Sequence, residues 1–208
     1  KTAYEMCGRD WSSDVCSSDL SLKDYVNCPR QYAEIKVLKR FEKRPTPQML
    51  YGTAVHKALE DYVGEGKPLP DDYQRYASQL DPLRDMEGEK YPELRMAVDF
   101  DRQPCKWSQY WVRGIVDLLV VDGDTGFIVD YKTGNDKYPD RDQLILMSLM
   151  VFAHFPHIRQ VNSALLFVVK NSMVKHKMTI DDKDFHWWRY RERVAKLANS
   201  FANNVWKD

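Results

Sequence analysis

The sequence has no apolar run approaching the roughly 20 residues that span a bilayer, so no part of it reads as a membrane-spanning helix. Its first residues lack the charged start and apolar h-region of a secretory signal. Cysteine is scarce: four occur in 208 residues, without regular spacing, which argues against a disulfide framework and for a reducing compartment. Excess charge is also missing, since 31 Lys and Arg balance 31 Asp and Glu. A neutral total neither favours nor excludes a nucleic-acid partner; only the distribution of charge would. No internal repeat and no long linker is visible. What is present, at 43% hydrophobic and 30% charged residues, is enough for one domain with a real core.

The periodicity predicts a helix over 21–41, with Leu22, Tyr25, Val26, Tyr32, Ile35 and Leu38 at roughly helical spacing, Ser21 as its cap and Pro29 as its weak point. PTPQ (45–48) breaks it. A second helix is expected over 49–63, ended by GEGKPLP, and an exposed helix over 71–86. Strands are expected over 93–100, 110–121 and 127–132, the last two joined by the turn DGDTG (122–126). An apolar helix follows over 140–155, then a strand pair over 163–170 and 173–180, then a helix over 181–205 opened by Asp residues at its positive end. That order implies an α/β fold, a mixed β-sheet flanked by helices.

The chemistry concentrates in FIVDYKTG (127–134). Asp130 and Lys132 project from one face of a strand that is otherwise suited to burial, a costly arrangement unless something uses the charges. Asp117 and Asp130 stand equally far from the centre of the turn at 123–124, so the hairpin sets them nearly across from one another. Two carboxylates so placed repel and want a cation between them, and oxygen ligands select hard Mg²⁺ or Mn²⁺. Lys132 can place positive charge beside a water or a phosphate oxygen. In GTAVHKALE, Gly52, His56 and Glu60 fall on one helix face. The glycine allows close approach to the sheet, and the imidazole is a candidate further ligand.

GTAVHKALE, RGIVD, IVDYKTG and DQLILM, with YVNCPRQY before them, resemble in order and spacing the RecB-like exonuclease branch of the PD-(D/E)XK nuclease superfamily, over about residues 21–205. The resemblance implies a restriction-endonuclease-like core and metal-dependent hydrolysis of DNA phosphodiester bonds. Exonuclease action on linear single- or double-stranded ends, in replication, recombination or repair, is the form it favours, as in phage-encoded enzymes. It makes His56, Asp117, Asp130 and the backbone carbonyl of Tyr131 metal ligands, Lys132 the catalytic lysine, and Gln143 a supporting residue of the site. It places Tyr25, Arg30 and Tyr32 near the DNA path. Its setting is the cytoplasm of a bacterial cell or a phage-infected host. Asp130 stands where many relatives have Glu, and Met147 where they often have Tyr. Two other readings stay open: a structure-specific or CRISPR-adaptation endonuclease on the same fold, and a DNA-binding module without catalysis.

Residues 1–20 have no amphipathic period and resemble translated read-through of a sequencing adapter, so they are set aside from the single domain expected over 21–208. Setting them aside leaves 29 basic and 27 acidic side chains, and Cys28 and Cys105 as the remaining cysteines. Some relatives hold an iron–sulfur cluster with one cysteine in a C-P motif and three near the C-terminus. Cys28 matches the first, but no cysteine follows Cys105, so this chain does not support a cluster. The abrupt VWKD end beside an adapter-like start reads as a gene fragment, which leaves a later cysteine trio open.

Other features have plainer readings. Asp122 and Asp124 hint at a calcium loop but lack its later acid, so a plain turn is expected. His154 and His157 flank Pro156 and read as surface residues. Trp187, Trp188 and Tyr190 are expected to pack in the core rather than stack on bases. Glu60 and Glu93 could approach the metals or form salt bridges. Arg30, Lys36, Lys39, Arg40, Lys43 and Arg44 make a basic stretch suited to phosphate contact or to solvent.

Overall fold

The computed structural model describes residues 18–41 and 46–207. Most of the adapter-like segment, and Lys43 and Arg44 of the basic stretch, lie outside these residues. The described residues form two compact units, one drawing on 18–41, 96–114 and 181–207, the other on 46–95 and 115–180.

In the first unit the helix expected over 21–41 is divided. Helix α1 (Ser18–Asn27) begins earlier, so Ser21 lies inside it rather than capping it. Cys28 is extended, with φ −160°, and its Sγ accepts the Gln31 N–H at 3.4 Å. Pro29 then opens α2 (Pro29–Tyr32), where its missing N–H removes no helical bond. A π-helical turn, Ala33–Val37, ends the segment. The final helix here numbered α6 (Lys183–Asn203) packs against α1. Trp111 lies between Trp187 and Tyr190, with ring centroids at 5.8 and 5.7 Å. Trp187 and Tyr190 are buried as expected, but Trp188 is 59% exposed, because its neighbours on one turn of an amphipathic helix cannot all face inward.

In the second unit α3 (Pro47–Glu65) starts with Thr46, whose side chain accepts the Met49 N–H at 3.3 Å, and stops at Gly66 with φ +69°. The left-handed glycine is the usual helix stop. A 3₁₀ turn, Asp71–Tyr76, leads into α4 (Ala77–Arg84). This region was expected to be exposed. Instead Tyr76, Leu80 and Leu83 are buried, because they join Val55, Leu59 and Val63 of α3 in one apolar cluster against the sheet. Each such side chain contributes roughly 1.5–3 kcal/mol by leaving water.

Among the described residues five strands form one sheet, β1 (Glu89–Val98), β2 (Val112–Asp122), β3 (Thr125–Lys132), β4 (Gln160–Phe167) and β5 (Ser172–Thr179), adjacent in that order. β2 and β3 form a tight hairpin in which Asp122 pairs with Thr125 and Gly123 supplies φ +57°. β3 and β4 run parallel, with Tyr131 opposite Leu166, and β4 and β5 run antiparallel. The parallel pair needs a long crossover, which α5 (Arg141–His154) provides. That helix is apolar on nearly every side because it lies against β3, β4 and β5. The result is the mixed sheet with flanking helices that the order of elements implied. No helix among the described residues is long and apolar enough to cross a membrane.

Candidate active site

The β2–β3 ladder runs from the turn to Leu118 opposite Val129 and then stops. Continued by one residue, that register sets Asp117 across from Asp130. In place of the next ladder bond, Asp117 Oδ2 accepts the Tyr131 N–H at 2.8 Å. The N–H and C=O of one strand residue face the same edge, so the Tyr131 carbonyl faces this opening too. His56, on α3, brings Nδ1 within 3.4 Å of Asp117 Oδ2. Its ring meets the Tyr131 ring edge-on at 6.2 Å.

Asp130 is 3% exposed and held from two sides. The Gln143 amide donates to Oδ1 at 2.8 Å, and the Lys132 ammonium lies 2.6 Å from Oδ2. That second contact is an ion pair, without the geometry of a directed hydrogen bond. Gln143 is itself positioned, because Asp140 caps α5 by accepting the Gln143 N–H at 3.3 Å. Gly52 brings α3 against the end of β3: a Cβ there would stand 3.1 Å from Thr133 Oγ1.

The electrostatics follow from two acids sharing a buried place. Burial, then the charge of Asp130, pushes the Asp117 carboxyl well above the usual carboxylate range. Burial also raises Asp130, against the pull of Lys132. Burial lowers the His56 pKa, so the imidazole is neutral near pH 7, the form that ligates metals. Among the described residues no three His, Cys, Asp or Glu side chains are already gathered as a ligand set. The donors nevertheless suit a hard divalent cation: two mutually repelling carboxylates, a neutral imidazole beside one of them, and the lysine standing as cation to the other.

Glu60 is paired with Lys57, 3.3 Å away, which itself reaches Asp61 at 2.9 Å. Glu93 has φ +48°, and its charge adds to the upward push on Asp117. Both acids line an open groove of about 1010 Å³ that also takes in His56, Gly52, Thr133, Met49 and Tyr51. The groove's aromatic and apolar rim was not foreseen, since nothing in PQMLY marks it in sequence. The sequence analysis took Asp140 into the helix, but Asp140-x-x-Gln143 has the spacing of a helix start and could have marked it as the cap.

Tyr25 and Tyr32, expected near DNA, are turned inward. The Tyr25 hydroxyl lies 2.7 Å from Ser200 Oγ and donates to the Lys196 carbonyl at 3.2 Å. Tyr32 is 1% exposed and packs edge-on against Tyr25 and Phe201. Arg30 is exposed. Asp122 and Asp124 form the plain turn expected, His157 is exposed and His154 half-buried at the end of α5.

A mixed α/β sheet carrying paired acids and a lysine at a central strand end has the architecture of the restriction-endonuclease-like class. The chain belongs to the PD-(D/E)XK nuclease superfamily, whose family model matches residues 18–207. Members of this superfamily typically use divalent metal ions. Among curated proteins nothing matches. Among solved structures, SSO0001 is similar at 14% identity and a TM-score of 0.47, over 94% of this chain and 82% of that one. A protein from Eubacterium rectale titled "Putative exonuclease" is similar at 12% identity and a TM-score of 0.50, over 93% of this chain and 88% of that one. The second likeness is one of fold alone.

Proposed function

We propose that this chain is a Mg²⁺- or Mn²⁺-dependent deoxyribonuclease of the RecB-like branch, acting as one domain over residues 21–208 on linear DNA ends, in cytoplasmic replication, recombination or repair. The observation that carries the reading is Asp130, held by Lys132 and Gln143 and set across from Asp117. Asp117, Asp130, His56 and the Tyr131 carbonyl are the groups that would hold the cation. When bound, a divalent cation acidifies water and offsets charge on a phosphate. Lys132 Nζ, steered by Asp130, orients the attacking water and faces the phosphate with positive charge. Water oxygen bonds to phosphorus, one P–O ester bond breaks, and a phosphate monoester and a hydroxyl end result. Gln143 keeps Asp130 Oδ1 occupied, so Oδ2 stays aimed at Lys132 and would be the oxygen offered to the cation. No covalent nucleophile is required.

The test uses end-labelled linear single- and double-stranded DNA and closed circular DNA, each with Mg²⁺, Mn²⁺ or EDTA, beside Asp130→Ala. Release of short products from linear DNA, dependent on metal and lost in Asp130→Ala, is expected. Nicking of the circle would replace the exonuclease with an endonuclease. A folded protein that binds DNA but cleaves none would sink the catalytic reading.

A further inference from the structure

The groove beside His56 has a lining unlike a track for a phosphate backbone. Among the described residues that line it, Lys57 is the only lysine or arginine, and its ammonium is already held by Glu60 and Asp61. Glu60 and Glu93 make the inner end acidic. A duplex groove binder works through several Lys and Arg contacts to phosphates, and this lining does not offer them.

The outer end is built from apolar and aromatic surface. Met49 is 53% and Tyr51 37% exposed, beside Pro47 at the first turn of α3. The Tyr51 ring is fixed by three neighbours. Its hydroxyl accepts from Arg75 at 3.0 Å and lies 2.9 Å from the Tyr76 hydroxyl, and Tyr73 meets the ring edge-on at 6.2 Å. The Arg75 guanidinium lies over the Tyr76 ring at 5.0 Å, which completes the support. A rigid aromatic ring with an open face has little conformational freedom left to lose on binding.

We infer that Tyr51 and Met49 form a stacking subsite for one unpaired nucleobase of the strand being cleaved. The occupant follows from the lining: a base face is flat, apolar at its centre and uncharged, and matches an exposed tyrosine beside a methionine. Inside a duplex that face is covered by its neighbours, and an unpaired base at a strand end is the one free to leave the stack and enter the groove. The groove also runs from Tyr51 to His56, Thr133 and Gly134, so a base there belongs to a strand whose phosphate reaches the end of β3. This inference rests on the nuclease reading and narrows its substrate to strands with unpaired ends.

The experiment compares metal-dependent cleavage of a single-stranded oligonucleotide with that of the same oligonucleotide made abasic near the cleaved end. It uses the full chain and its Tyr51→Leu, Tyr51→Phe and Met49→Ser variants. A preference for the base-bearing strand is expected, reduced roughly tenfold by Tyr51→Leu and less by Met49→Ser. Tyr51→Phe keeps the ring and its Tyr73 contact but loses the Arg75 and Tyr76 contacts to the hydroxyl, so it is expected to keep a weakened preference, well above that of Tyr51→Leu. Met49 is exposed, so its replacement leaves the thermal midpoint unchanged and any loss in that variant is not unfolding. Cleavage with equal rates on both strands, or a preference untouched by Tyr51→Leu and Met49→Ser, overturns the subsite and leaves the nuclease standing. Absence of cleavage of any strand overturns the nuclease reading, and the subsite with it.

Discussion

Asp117 Oδ2 accepts the Tyr131 N–H at 2.8 Å, taking the place of a strand-to-strand bond where the β2–β3 ladder ends. One carboxylate therefore serves the backbone and, on the function proposed above, the cation as well. Asp117→Ala leaves the Tyr131 N–H without its partner, a cost of roughly 1–3 kcal/mol for a buried donor. Asp117→Asn keeps an accepting oxygen. Both variants are expected to lose cleavage, but only Asp117→Ala is expected to be less stable than the parent, as denaturant titration without metal would show. Equal stability of the two would remove the backbone role.

The same carboxylate gives the metal-free protein a pH signature. Its pKa is raised on folding, so the folded protein holds the proton more tightly than the unfolded chain. Its contribution to stability is fully present below the ordinary carboxylate value, near 4, and is lost as pH rises through the raised value. Asp130 acts in the same direction. His56 acts in the opposite one, because its lowered pKa costs stability as pH falls below about 6.5. The difference between the parent and Asp117→Asn isolates the first effect. With EDTA present, thermal midpoints should favour Asp117→Asn increasingly as pH rises from 4 to 8. A constant difference would show that the acid is not perturbed.

Gln143→Leu removes the donor from Asp130 Oδ1 and leaves that buried oxygen unsatisfied. Residues that orient a metal ligand typically carry 10–100-fold in affinity or activity. The expected result is a roughly 10–100-fold loss at limiting metal that partly recovers at high metal. An unchanged metal titration would make Gln143 a packing residue only.

Gly52 sets the distance between α3 and the end of β3. Alanine is worth about 1 kcal/mol over glycine inside a helix, but its Cβ would meet Thr133 Oγ1 at 3.1 Å. Gly52→Ala should therefore lower activity by moving His56 away from Asp117, with little loss of stability. Thr133→Ala removes the crowded atom, so the double variant should recover activity relative to Gly52→Ala. Additive effects of the two changes would show that they do not touch.

The placement of the candidate site's central residues was legible because its signals are local. Asp130 and Lys132 share a strand face by the period of two, and the DGDTG turn fixes which residue faces Asp117. Gly52, His56 and Glu60 share a face by the helical period, whatever the helix packs against. The mixed sheet followed from the order of elements in the same way. Side-chain direction in the terminal helices was legible only in part, for Trp187 and Tyr190. Tyr25 and Tyr32 were expected beside DNA, yet they are enclosed by Ser200 and Phe201, whose approach no local pattern encodes. Burial of Tyr76, Leu80 and Leu83 depends on α3 lying alongside, which again is a contact between distant segments. The stacking rim has the same origin, because Tyr51 becomes a platform only when Arg75 and Tyr76 fold back to hold it. Sequence alone thus determined most of the elements, the divided helix over 21–41 apart, and the acids and lysine they carry, since strand and helix periods act over a few residues. Tertiary packing decided which rings are buried and which face the groove, since burial is a property of segments brought together.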